Sequence, residues 1–237
     1  MTGLVLVAHG TRRLLGNAVA SIIAKQAGRR LGVESRAAYV ELCEPLFADV
    51  VAETRQPTLV VPLLLSTGYH VRVDLPAAVA AAAAPVTLGA PLGPDPMLAS
   101  AQMSRLVAAG ATPGQPVVLV AAGSNDPAAV ADIATAGSML EQAWSGPVRV
   151  ATVSGSGAPA IGDVVRPGDA VSPYLLAPGF FSETVRIRSS DAGAEVIADV
   201  IGPHPDVVEL VVRRASALLA EERSARVGST GGDRQVV

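Results

Sequence analysis

Cysteine occurs once in the 237 residues, at Cys43. One thiol builds neither a disulfide framework nor a thiolate zinc site, so the chain is expected in a reducing compartment. Charged residues make up only 16% and aromatic residues 3%, against 50% hydrophobic. A disordered chain would be poor in hydrophobics and rich in net charge, so that class is excluded. The formal net charge of −3 lacks the basic excess of a general nucleic-acid binder. Long apolar runs are missing as well. The blandest stretch, Ala77–Pro85, is far shorter than the ~20 residues of a membrane span. Met1–Ala8 carries no basic n-region and soon meets His9, so it does not read as a targeting signal. A soluble, cytoplasmic protein with neither nucleic acid nor membrane as partner is expected.

The apolar content is carried by Ala, Val and Leu in short runs, as in α/β folds whose strands are buried on both faces. LVLVAHG (Leu4–Gly10) reads as a first strand, with a helix over about Arg12–Leu31 on the spacing of Leu15, Val19, Ile22 and Ile23. Ser35–Leu42 reads as a second strand, followed by a helix with Pro45 in its first turn. Pro57–Gly68 is a third, with a helix from about Val73. Val86–Gly93 is a fourth, with a helix opened by Pro94-Asp95-Pro96. Such alternation predicts parallel strands joined by right-handed crossovers.

After Ala111–Pro116 the pattern restarts. VVLVAAG (Val117–Gly123) repeats LVLVAHG 113 residues on, and PYLLAPGFF (Pro173–Phe181) lies over PLLLSTGYH (Pro62–His70) at 111. Gly202–Pro205 lies over Gly93–Pro96 at 109, and Pro159, Asp163, Val164 and Val165 lie over Pro45, Asp49, Val50 and Val51 at 114. Four matches in the same order predict two homologous halves, each a small doubly wound parallel sheet, with a cleft between them. The expected boundaries are 1–112, 113–225 and a loose Gly/Ser-rich tail over 226–237. Duplication would supply within one chain what a half-length relative gains by dimerising, so a monomer is expected.

Of three histidines, His9 ends the first strand and His70 follows the third, while Glu41 lies near the end of the second. Ligands of open parallel sheets bind outside the carboxyl ends of the strands. Two imidazoles and a carboxylate there suit a divalent metal such as iron, cobalt, nickel or zinc, and the same groups accept protons near neutral pH. The repeat places Ala122, Gly155 and Phe181 opposite His9, Glu41 and His70. One active half and one structural half follow. Elsewhere, Gly155–Ala160 fits the G-x-G-x-x-A dinucleotide pattern, but after the second strand of its half and without the acidic residue ~20 positions on. Asp74, Asp95 and His204 read as helix-start residues, and Cys43 as a buried thiol.

HGTRR after the first strand, VELCEP around Glu41, PLLLSTGYHVRVDLP and LGPDP together resemble the sirohydrochlorin chelatases, the small class II tetrapyrrole chelatases, in their duplicated form. The resemblance implies ATP-independent insertion of Fe²⁺ or Co²⁺ into sirohydrochlorin, in siroheme or cobalamin biosynthesis, with no cofactor beyond that substrate metal. It carries the metal-site roles onto His9, His70 and Glu41. It also implies contacts to the carboxylates that fringe sirohydrochlorin. Those are assigned to Gly10, Thr11, Arg12 and Arg13 at one helix start and to Ser66, Thr67, Gly68 and Arg72 around the other turn. A non-catalytic metal or tetrapyrrole carrier and a dinucleotide-dependent enzyme remain the alternative readings.

Overall fold

The structure, a computed structural model, describes residues 2–230. Strands β1 (Gly3–Ala8), β2 (Ser35–Tyr39), β3 (Thr58–Pro62) and β4 (Val86–Leu88) form a parallel sheet ordered β2-β1-β3-β4. Strands β5 (Val117–Ala121), β6 (Val148–Thr152), β7 (Ala170–Pro173) and β8 (Val196–Ile197) form a second, ordered β6-β5-β7-β8. The duplicated α/β architecture is therefore the observed one. The intervening helices are α1 (Leu14–Leu31), α2 (Phe47–Glu53), α3 (Leu75–Ala80) and α4 (Pro96–Ala108) in the first half. In the second they are α5 (Pro127–Trp144), α6 (Ile161–Val164), α7 (Phe180–Asp191) and α8 (Pro205–Thr230).

Alternation along β1 explains the layering. Leu4 and Leu6 face α1, while Val5 and Val7 face the other way, toward Phe47, Val50 and Val51 of α2 and Leu75 of α3. In the second half, Val118, Val120 and Val171 likewise pack on Ile161 of α6 and Val185 of α7. The inward faces of both sheets share one core with α1, α4, α5 and α8. Within it the last helix of each half is exchanged: α4 packs on α5 and β7, and α8 packs on α1 and β3. The apolar pattern marks α4 and α8 as buried without saying against what, so this exchange is not legible in the sequence.

Several expected bounds move. In α1 the buried stripe is Val19, Ala20, Ile23, Ala24 and Ala27, while Leu15 and Ile22 are exposed. Helix α2 begins at Phe47, not Pro45; Pro45 lies before it, its carbonyl accepting from the Tyr39 N–H. The third helical segment begins at His70, as a π turn over His70–Asp74 that runs into α3. Helix α8 extends to Thr230, into the stretch expected as a loose tail, because Ala220–Arg226 is rich in the helix formers Ala, Glu and Arg. Residues 231–237 lie outside the described residues. Among the described residues no helix is long and apolar enough to cross a membrane.

Candidate metal centre

The first sheet has its switch point between β1 and β3, because the chain leaves β1 toward β2 on one side and returns to β3 on the other. Crevices at such points collect ligands. His9 follows β1 directly, and the β1–β2 ladder continues past the strand ends: Val40 N–H donates to Ala8 O at 2.9 Å and Glu41 N–H to His9 O at 3.0 Å. Glu41 is thereby fixed beside His9. Gly10 makes this possible, with φ +100° and a Cβ position that would lie 1.9 Å from the Glu41 carbonyl oxygen. Leu42, next to Glu41, holds φ at 69°, a left-handed conformation uncommon for a residue with a Cβ. On the other side of the switch point, Leu63 N–H donates to Val7 O at 2.7 Å before the loop delivers His70.

The three side chains converge. Single ligand atoms of His9, Glu41 and His70 all lie within 4.8 Å of one another. His9 Nε2 is 3.4 Å from Glu41 Oε1, and the two imidazole rings meet edge to face at 83° with centroids 4.9 Å apart. His9 and Glu41 are exposed and His70 half-buried, so a ligand can reach all three. His70 Nδ1 lies 2.6 Å from Asp74 Oδ2. A carboxylate on one ring nitrogen orients the imidazole and leaves the other, here Nε2, to act as ligand or base.

Asp74, expected as a helix-start acid, does precede α3, but its side chain makes no capping bond there and engages His70 instead. The signal that could have found it is its spacing, since residues four apart on a helix are neighbours. Asp95 and His204 do serve as expected: Asp95 Oδ1 accepts from Met97 N–H and His204 Nδ1 from Asp206 N–H. Cys43 is half-buried against the shared core.

Around Thr11 and Thr67, where backbone anion sites are expected, the amides of Thr11, Arg13, Thr67 and Gly68 donate to the protein's own acceptors. Thr11 N–H donates to Asn17 Oδ1 at 3.0 Å, and Arg13 N–H to Thr11 Oγ1 at 3.2 Å. Thr67 N–H donates to Asp132 Oδ2 at 2.6 Å, and Gly68 N–H to Ser66 O at 3.2 Å. Arg12 and Tyr69 are exposed. Arg13 pairs with Glu183, and Arg72 lies 3.5 Å from Asp126. The carboxyl ends of both sheets thus face the line where the halves touch.

Equivalent hydrogen bonds align the second half. Ser154 N–H donates to Ala122 O as Glu41 N–H does to His9 O, so Ala122 corresponds to His9 as expected. The counterpart of Glu41 is Ser154, not Gly155, which instead matches Leu42: φ is 71° at Gly155 and 69° at Leu42. The loop between Ser154 and Ala160 is one residue longer than its first-half counterpart, which shifted the alignment read from sequence. Glu183 N–H donates to Gly179 O as Arg72 N–H does to Gly68 O, so Phe181 corresponds to His70. Gly155–Ala160 opens only the four-residue α6 after the edge strand β6, and Gly157 sits where a Cβ would lie 2.4 Å from Ser124 O. Gly157 serves close packing and Gly155 a positive φ of 71°, without the long helix that the dinucleotide pattern requires.

Residues 3–109 match the family model CbiX. No curated protein sequence matches the chain. Among solved structures the fold is similar to SirB from Bacillus subtilis with Fe3+, at 22% identity and a TM-score of 0.76 over 94% of this chain and 97% of that one. It is also similar to the sirohydrochlorin chelatase SirB from Bacillus subtilis subspecies spizizenii in complex with cobalt, at 22% identity and 0.69 over 92% and 94%. A third likeness is to CbiX, described as the terminal enzyme for biosynthesis of siroheme in denitrifying bacteria, at 20% identity and 0.69 over 91% and 98%. At these identities the structural likenesses establish the fold.

Proposed function

On the match of residues 3–109 to the CbiX family model, we propose that the protein inserts a divalent metal, Fe²⁺ or Co²⁺, into sirohydrochlorin without ATP. The observation that carries this reading is the convergence of His9, Glu41 and His70 at the switch point of the first sheet. The relatives crystallised with iron and with cobalt support it. Metal insertion replaces the two pyrrole N–H protons of the free macrocycle by one M²⁺ and releases two H⁺. Two tasks follow for the protein, to hold the metal near the ring and to remove those protons.

His70 suits the first task, since its contact with Asp74 leaves Nε2 directed to a ligand. His9 and Glu41, 3.4 Å apart, suit the second, because an imidazole and a carboxylate at that separation can pass a proton between them and out to water. The metal is a substrate, and a site open on one side lets it leave with the product. Residues 1–112 form the catalytic half. Residues 113–225 form a structural half, since Ala122, Ser154 and Phe181 put no imidazole or carboxylate at the matching places. Affinity rises from Fe²⁺ to Co²⁺ at almost any nitrogen/oxygen site, so availability in the cell selects the metal.

An anaerobic assay of sirohydrochlorin with Fe²⁺ or Co²⁺, followed by macrocycle absorbance, tests the proposal. Protein-dependent, multiple-turnover conversion to the metallated spectrum is expected. Binding of metal or tetrapyrrole without product would identify a carrier and overturn it.

A further inference from the structure

Arg13 and Asp126 occupy equivalent places, each the residue immediately before the first long helix of its half. Arg72 and Glu183 are equivalent by their matching backbone hydrogen bonds to Gly68 and Gly179. Arg13 pairs with Glu183, and Arg72 with Asp126. The same contact is therefore made twice about the pseudo-two-fold axis of the duplicated chain, as in an isologous dimer. Its charges are segregated. Both arginines come from the half that carries the triad, and both acids from the other.

These bridges do little to hold the halves together. Arg13 is 61% and Arg72 55% exposed, Glu183 is 44% exposed, and the Arg72–Asp126 approach of 3.5 Å is long for a hydrogen bond. Exposed ion pairs contribute little to stability, and the halves are joined by the shared core and the exchanged helices. The positions relative to the triad are more telling. Arg13 follows His9 by four residues, and Arg72 follows His70 by two.

We propose that Glu183 and Asp126 are stand-in carboxylates, which hold Arg13 and Arg72 in the free protein and yield them to two carboxylates on the rim of the tetrapyrrole. This rests on the function proposed above, since it requires a carboxylate-fringed macrocycle. A guanidinium binds any carboxylate through the same planar fork, so the exchange replaces one charge-assisted pair by another and strands no cation. Asp126 stays in place when Arg72 leaves, because its Oδ1 also accepts from Ala128 N–H and caps α5. Two exchangeable arginines on the triad's half give a two-point clamp that draws the ring toward His9 and His70, each rim contact raising the effective concentration of the other.

Equilibrium binding of metal-free sirohydrochlorin to the full chain, followed by macrocycle absorbance, tests the exchange. Glu183→Gln keeps the shape and removes the charge; Asp126→Asn keeps a residue that caps helices equally well. Each is expected to tighten binding roughly two- to fivefold, the range set by the strength of an exposed ion pair. Arg13→Gln and Arg72→Gln are expected to weaken it by a similar factor. Sirohydrochlorin with its carboxylates esterified should bind both Glu183→Gln and the parent chain alike. Unchanged or weaker binding by Glu183→Gln and Asp126→Asn, while the parent chain binds well, would overturn the exchange alone. Failure of the parent chain to bind sirohydrochlorin at all would overturn the proposed function together with it.

Discussion

His70 Nδ1 and Asp74 Oδ2 lie 2.6 Å apart across a single π-helical turn. A π turn inside a helix is rare and recurs at functional sites. Here it leads from the loop after β3 into α3 and presents His70 to His9 and Glu41 with its rear nitrogen already engaged. Asp74 is thus a positioning residue, acting through His70.

Replacing Asp74 by Asn keeps a hydrogen-bonding group and removes the negative charge beside His70 Nδ1. Loss of such a partner costs roughly 10- to 100-fold in metal affinity. Co²⁺ titration should show that loss in Asp74→Asn, with thermal unfolding unchanged. Parent-like affinity would separate Asp74 from the metal site.

Gly10→Ala should damage the site and the fold together. The added methyl group would sit 1.9 Å from the Glu41 carbonyl oxygen, at a φ of +100° that side chains rarely adopt. A backbone penalty on the order of 1–3 kcal/mol is expected, with Glu41 pushed away from His9. Gly68→Ala is the control. Nothing lies within 4 Å of its Cβ position, so chemical denaturation should move by less than about 0.5 kcal/mol.

Tyr174 ties the halves through its hydroxyl, which donates to Leu65 O at 2.9 Å. Burial pushes its phenol pKa up, helped by the nearby Asp132 and Asp95 charges, so the folded chain keeps the proton. Tyr174→Phe leaves that carbonyl without its donor and should cost about 1–2 kcal/mol. The sign of the pH effect follows from proton binding. The unfolded phenol ionises near ~10 while the folded one stays neutral, so stability falls as pH rises past that value. Denaturation midpoints measured on both sides of it should show a shallower alkaline decline in Tyr174→Phe.

Residues whose chemistry and register are local could be read from the sequence, and those whose role depends on a distant partner could not. His9, Glu41 and His70 stood out because imidazole and carboxylate at the ends of apolar strands have no packing reason to be there. The repeat was visible because its Gly/Pro framework is kept, as at Gly10 and Gly123, both with positive φ and both pressed against the neighbouring loop. The contact of Asp74 with His70 is hidden in the sequence, because an acid before an apolar helical run is also what a helix start looks like. The amide of Thr67 looked free because its partner, Asp132, is 65 residues away and in the other half. The exchange of α4 and α8 left no trace, since an apolar stripe reports burial and not the identity of the covering surface.

The proposed function gives each chain one metal site, built by His9, Glu41 and His70 in the first half. Calorimetric titration of Co²⁺ into the parent chain and into His9→Ala/His70→Ala counts the sites. One Co²⁺ per parent chain and none in the double variant, with its fold retained by circular dichroism, is the predicted result. Two equivalents per parent chain, or one equivalent still bound after both histidines are gone, would contradict it.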